Sequence, residues 1–142
     1  MAFDLSTLDL TQTANNGGWL TLRHPVTDVE LPIKIKLAGA ESDAYKQAER
    51  DYSNRRLREM QRGGKMPSVT AESVEAQALK ILATVTLDWE GVELDGAPLP
   101  FNKQNAETLY KRFAWIQRQA EAFIGDPANF TAEGAIASIE GN

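Results

Sequence analysis

His24 is the only histidine in the chain, and there is no cysteine to accompany it. A catalytic imidazole needs a positioned partner for its proton, and a zinc ion takes several His or Cys ligands. One histidine beside Pro25 meets neither need, so a surface or turn role is expected. Asp88, Glu90, Glu93 and Asp95 could hold a hard cation through their carboxylates. Their spacing, however, departs from the Asp-x-Asp-x-Asp-Gly pattern of a calcium loop, and a solvated acidic loop is the simpler reading. Asp126 near Asn129 reads as a helix-stopping turn. The glycine pairs at 17–18 and 63–64 do not follow a strand and open a helix, as a phosphate cradle does. These residues assemble no active site, cofactor site or metal site, and no enzymatic activity is expected.

The one basic cluster is Arg55, Arg56, Arg58 and Arg62. Arginines so spaced suit phosphates or the carboxylates of an acidic partner. No aromatic stacking platform adjoins them, and the chain as a whole carries 20 acidic against 15 basic residues, a formal charge of −5. That balance opposes general affinity for nucleic acid, so Arg55 and Arg56 are assigned to a polypeptide partner. Aromatic residues dominate both cores and interfaces. Phe113, Phe123 and Trp89 are expected in the core. Trp115 lies off the apolar stripe of its helix and Trp19 stands at a strand start beside Gly18, which makes these two the candidates for contact with another chain.

The elements that position these residues follow from periodicity. Residues 1–17 are polar and read as an irregular arm. From Trp19 the period becomes two: Leu20 and Leu22 alternate with Trp19, Thr21 and Arg23, and Leu31, Ile33, Ile35 and Leu37 alternate with Pro32, Lys34 and Lys36. Pro25-Val26-Thr27-Asp28 lies between them as a turn, so an antiparallel hairpin is expected. A lone hairpin is marginal in water; its apolar side must pack on helices or on another subunit. The edge from Leu31 to Leu37 is read as unpaired, and Trp19, Leu31, Ile33 and Ile35 are assigned to self-association.

Ser42 caps a first helix carrying Tyr45, Ala48 and Tyr52, with the arginines on other faces and Gly63-Gly64 at its end. Lys65 to Ser68 form a linker. Thr70 caps a second helix with Val74, Ala78, Ile81, Leu82 and Val85 in one stripe, expected to run to about Leu87, although Thr84 to Trp89 also alternates as a strand would. A turn-rich loop from Glu90 to Pro100 follows. Asn102 caps a third helix with Ala106, Leu109, Tyr110 and Phe113, and Trp115 to Ile124 forms a fourth segment or a bent continuation of the third.

At 142 residues the chain suits one domain. The expected class is α+β, predominantly α-helical: an N-terminal β-hairpin followed by three to four helices in a single domain at 19–130, with a flexible arm at 1–18 and a weakly ordered tail at 131–142. No stretch approaches the ~20 apolar residues of a membrane helix, and Met1 to Leu5 lack the features of a signal peptide. A cytoplasmic location without membrane contact is expected.

Several turn and cap residues carry a resemblance. Trp89-Glu90-Gly91-Val92, Asp95 to Asn102, Asn105-Ala106, and Asp126-Pro127-Ala128-Asn129-Phe130, with the earlier run Leu37 to Ser42, resemble the small tail assembly chaperones of long-tailed, siphovirus-type bacteriophages. The similarity spans roughly residues 19–130 and departs at Asn102, where Ser or Thr is commoner in that family; Asn caps equally well. The resemblance implies a mainly helical protein without catalysis, which self-associates and binds the phage tape measure protein until tail tube protein polymerises around it. It implies residence in the host bacterial cytoplasm and absence from the finished virion. The rival readings are a head–tail connector or minor tail protein retained in the virion, and a regulator that meets nucleic acid through Arg55 to Arg62.

Overall fold

The alternating runs do form the hairpin. In a computed structural model, which describes residues 2–63 and 70–131, β1 (Gly18–Arg23) pairs antiparallel with β2 (Glu30–Leu37). The loop between them closes on His24, whose Nδ1 accepts from the backbone N–H groups of Val26 and Thr27 at 3.1 and 3.2 Å. Arg23 ties the loop further by donating to Asp28 O at 3.0 Å. The histidine thus has a turn role, as its neighbours imply.

Beyond β2 the backbone N–H groups of three successive residues go to three different helices. Ala38 donates to Val85 O at 2.8 Å, Gly39 to Ala14 O at 3.1 Å, and Ala40 to Ile124 O at 2.9 Å. These carbonyls close α1 (Leu10–Asn16), α3 (Ala71–Val85) and α5 (Ala114–Ile124). Helix ends leave such carbonyls without partners, so one extended segment satisfies them and fixes the helices around itself. α1 occupies the stretch read as irregular. Asp9 caps it by accepting from Gln12 N at 3.1 Å, a 3-10 helix at Leu5–Leu8 precedes it, and Ala14 is buried in its last turn.

α2 (Asp43–Gly63) starts as expected, with the Ser42 hydroxyl accepting from Tyr45 N at 3.2 Å. Asn15 of α1 adds a second cap, its Oδ1 accepting from Asp43 N at 2.8 Å. The expected linker from Lys65 to Ser68 and the tail beyond Thr131 lie outside the described residues.

α3 begins in a capping box between Thr70 and Ser73. It stops two residues sooner than its stripe suggests, at Val85, and the chain passes directly into β3 (Thr86–Glu90). The Thr86 hydroxyl donates to Leu82 O at 2.8 Å and seals the helix end. β3 then pairs antiparallel with β2, Ile35 opposite Trp89 and Lys36 opposite Asp88. The sheet order is therefore β1-β2-β3. This corrects the reading of β2 as an unpaired edge: it is the central strand, bonded on both sides.

A second small ladder, β4 (Glu93–Leu94) with β5 (Ala97–Pro98), closes on Asp95 and Gly96, both at positive φ. That backbone suits the Asp-Gly pair of a two-residue hairpin turn. Gly91, at φ 75, precedes it, and a Cβ there would stand 2.1 Å from Pro32 O. Only glycine allows β2 and the β3 exit to approach so closely. Asn102 caps α4 (Lys103–Arg112) by accepting from Asn105 N at 2.7 Å, and Phe113, outside helical geometry, separates α4 from α5.

The core lies between one face of the sheet and helices α3, α4 and α5. Leu22, Ile35 and Leu37 meet Leu82, Val85, Leu109, Tyr110, Ile116 and Ala120 there. Trp89 closes one end, its ring edge-on to Phe101 at 5.1 Å and its indole N–H donating to Leu99 O at 2.8 Å. At the other end Phe130 stands edge-on to Phe123 at 5.3 Å. The fold class is the expected one: a small antiparallel sheet with an N-terminal hairpin, and a mainly helical single domain.

Candidate functional site

The residues assigned to self-association divide between the two faces of the sheet. Leu20 is opposite Ile35 in the register and Trp19 opposite Lys36. Ile35 is wholly buried in the core, and Leu31 and Ile33 are half-buried against it. These three stabilise their own chain, because β2 is central and its apolar side chains point inward. Trp19 stands on the outer face, 43% exposed, in a cross-strand row with Lys36 and Asp88.

The remaining sheet edges are guarded to different degrees. Gln119 of α5 takes the place of a strand beside β1, accepting from Arg23 N at 2.9 Å and donating to Arg23 O at 2.8 Å. A Cβ on Gly18 would lie 2.8 Å from Asn129 O, so the segment after α5 covers the start of the same strand. On β3, the Asp88 carboxylate accepts from Trp89 N at 2.8 Å. Satisfied backbone groups and short strands blunt an edge against pairing.

The helices present a different picture. α2 has 21 residues and not one is buried. It packs along one side on α3 and touches α1 near its start. Arg55, Arg58 and Arg62 are exposed, while Arg56 is half-buried with its guanidinium 5.9 Å from the centre of the Tyr52 ring. Leu57 on α2 and Val74 on α3 are 51% and 50% exposed. Trp115, by contrast, is half-buried and packs against the core.

Open grooves flank α3. One of about 500 Å³ runs between α2, α3 and the end of α5. Val74, Ala78, Ile81, Leu82 and Ile124 give it an apolar floor, and Glu49 and Glu121 stand at its rim. Burial, and then the nearby carboxylates of Glu49 and Glu121, push the Tyr45 phenol in this groove upward from its ordinary pKa. A second groove, of about 970 Å³, opens on the opposite side of α3 against α4 and α5. An apolar floor with charged rims suits an amphipathic helix, whose apolar face enters while its polar flanks stay wet.

Two of the acidic residues near the β3 exit serve structure. Asp88 caps Trp89, and Asp95 pairs with Arg112 at 3.2 Å, whose guanidinium also lies 5.3 Å from the Phe113 ring centre. Among the described residues no three of His, Cys, Asp and Glu gather where a metal ion would need them. No helix among them is long and apolar enough to cross a membrane.

The profile of the YdaY prophage protein family matches residues 40–142, the greater part of the chain. The chain belongs to the YdaY prophage protein family. It is thus of phage derivation. No curated protein and no solved structure matches it. The YdaY match begins at Ala40, so it takes in α2, α3, α4 and α5 with their grooves, and leaves out the hairpin that bears Trp19, Leu31, Ile33 and Ile35. The arginine helix and the grooves lie within the matched residues. They were not legible as a site in the sequence, where α2 shows only charge and the grooves depend on how three helices splay.

Proposed function

We propose that this YdaY-family protein is a non-enzymatic tail assembly chaperone, which self-associates and holds the phage tape measure protein in the host cytoplasm until the tail tube forms around it. The observation that carries the reading is the exposure of the α2–α3 pair: a long helix without a buried residue beside an open apolar groove. An elongated helical partner left bare would aggregate through its apolar stripe. The groove floored by Val74, Ile81 and Leu82 accepts such a stripe, and Glu49 and Glu121 at its rim favour basic residues on the partner's flanks. Weak contacts repeated along an array would hold firmly and still yield to the polymerising tube. Phage derivation and the residues resembling tail assembly chaperones support the same reading.

The test is co-expression with the tape measure protein of the same prophage, followed by capture. Wild type should keep the tape measure soluble and copurify with it. Val74→Lys, at a half-exposed position, should fold normally and lose the partner. Recovery of the protein as a stoichiometric part of purified virions would overturn the chaperone reading.

A further inference from the structure

Asn16 is followed by Gly17, and no other asparagine in the sequence is followed by glycine. In such a pair the main-chain nitrogen can attack the side chain before it, because glycine brings no side chain to block the approach and turns freely. The structure leaves this asparagine open to that attack. Asn16 is the last residue of α1, it is exposed, and among the described residues no hydrogen bond holds its amide. Asn15 beside it is the contrast: its Oδ1 accepts from Asp43 N at 2.8 Å and its Nδ2 donates to Asp43 Oδ2 at 2.9 Å. The Gly17 N–H donates to Ala14 O at 3.3 Å, the final bond of a seven-residue helix. A helix so short is not stable by itself, and its end turn opens at little cost. Asp95-Gly96, the similar pair in the β4–β5 turn, differs in chemistry. Its carboxylate is paired with Arg112, and a carboxylate is a far poorer electrophile than an amide.

We propose that Asn16 is a site of spontaneous self-modification, where its amide gives way to a main-chain isoaspartate that releases α1 from the fold. When the last turn of α1 opens, the Gly17 nitrogen attacks Asn16 Cγ. The Gly17 N–Cγ bond forms, the Cγ–Nδ2 bond breaks, and the proton from Gly17 leaves with the amide nitrogen as ammonia. Water then opens the cyclic imide at either carbonyl. Opening at Cγ restores the normal main chain with an aspartate side chain. Opening at the main-chain carbonyl leaves isoaspartate, with the chain running through Cγ and one methylene longer. The fold has no room for that methylene: a Cβ on Gly17 would stand 2.9 Å from Leu87 Cδ1 and 3.2 Å from Leu37 O. β1, on one side, is fixed by its ladder to β2 and by Gln119. α1, on the other, is tied by the Gly39 N–H to Ala14 O and by the Asn15–Asp43 pair. α1 is the element with fewer ties, and it yields. The site lies outside the grooves around α3, and the inference is independent of the proposed function.

The experiment incubates the full chain in warm, mildly alkaline buffer and maps its peptides by mass spectrometry, with an isoaspartyl methyltransferase to label isoaspartate. Asn16 should lose its amide before any other asparagine, and isoaspartate should appear at that position. Native hydrogen exchange should then show loss of protection at the N–H groups of Gly39 and Asp43, whose acceptors are on α1. Ala38 and Ala40, which donate to α3 and α5, should keep theirs. Asn16→Gln, whose longer side chain closes a ring far less readily, should stay protected at Gly39 and Asp43 throughout the incubation. Freshly purified Asn16→Asp, which has the charge without the added methylene, should also stay protected there. Another asparagine converting first would overturn the site, as would an intact Asn16 after a peptide of residues 10–22 has converted fully in the same buffer. Loss of protection in incubated Asn16→Gln, or in fresh Asn16→Asp as fully as in the converted chain, would overturn the release of α1 by the longer main chain.

Discussion

Tyr110 donates its phenolic hydrogen to the Thr86 hydroxyl across 2.8 Å, because the hydrogen of Thr86 is already committed to Leu82 O. The pair joins the end of α3, the start of β3 and the last turn of α4 in the core. It also explains why the chain changes from helix to strand at this point. Thr86 closes the last turn of the helix with both its hydroxyl, which donates to Leu82 O, and its backbone N–H, which donates to Leu82 and Ala83 O, while the residue already stands opposite Leu37 in the ladder.

Tyr110→Phe should cost about 0.5–1.5 kcal/mol at pH 7, the net worth of one hydrogen bond, measured by urea unfolding. Its effect with pH is more diagnostic. Burial pushes the Tyr110 phenol up to about 12 from 10.0. The folded state therefore keeps a proton that the unfolded chain releases above pH 10. The stability so contributed is complete below pH 10 and is lost as pH rises towards 12, up to about 3 kcal/mol for a two-unit shift. Wild type should lose stability over that window faster than Tyr110→Phe does. Parallel losses in the two proteins would contradict the assignment.

Gly91→Ala should be among the most damaging single-methyl changes in the chain. Its φ of 75 disfavours an L side chain, and the added Cβ would collide with Pro32 O. Left-handed backbone costs roughly 1–2 kcal/mol and overpacking about 1–3 kcal/mol more. A fall in melting temperature of at least 10 °C is expected by differential scanning calorimetry, against little change for Gly96→Asn, whose site is open and whose turn tolerates Asn.

Much of this architecture was legible in the sequence, and the exceptions share a cause. The hairpin, the Ser42, Thr70 and Asn102 caps and the separation at Gly125 are local signals, written within a few residues of where they act. β3 was hidden because Val85 completes a helical stripe and Thr86-Leu87 could extend it; what ends the helix is pairing with β2, about fifty residues earlier in the chain. α1 was hidden because its residues are polar, and it is held by Asp9 and by Asn15 reaching Asp43. The site was least legible. The arginines declared a charged helix, but that α2 packs on one side only is a property of the assembled helices. The turn residues that carry the family resemblance all have structural work in the fold: Gly91 makes room, Asp95 turns, Asn102 caps, and Asn129 donates to Phe123 O at 2.9 Å.

Gln119→Ala should expose the outer edge of β1. The amide replaces a neighbouring strand with two hydrogen bonds to Arg23, and its loss leaves both backbone groups without that partner. A cost of about 1–3 kcal/mol is expected. Because an uncovered edge is a template for pairing, the variant should also bind thioflavin T on prolonged incubation near its melting temperature while wild type does not.

Trp19 and Ile35 provide the sharpest contrast within the hairpin, since they project from opposite faces of the sheet. Ile35→Lys would place an unpaired ammonium among Leu22, Leu82 and Val85, in a core with no carboxylate to receive it. Burying a charge without a partner is prohibitive, so the variant should be unfolded at 25 °C by circular dichroism. Any loss of assembly in it would say nothing about an interface. Trp19→Ala removes a ring that is 43% exposed beside Lys36. It should keep the native spectrum and lose about 1–2 kcal/mol, the buried part of one aromatic side chain. If Trp19 meets another chain, the variant should keep its fold and lose that contact in sedimentation velocity of the full chain. If its sedimentation and tape measure capture both match wild type, the outer face of the sheet has no part in assembly, and α2 with the grooves around α3 is left to carry it.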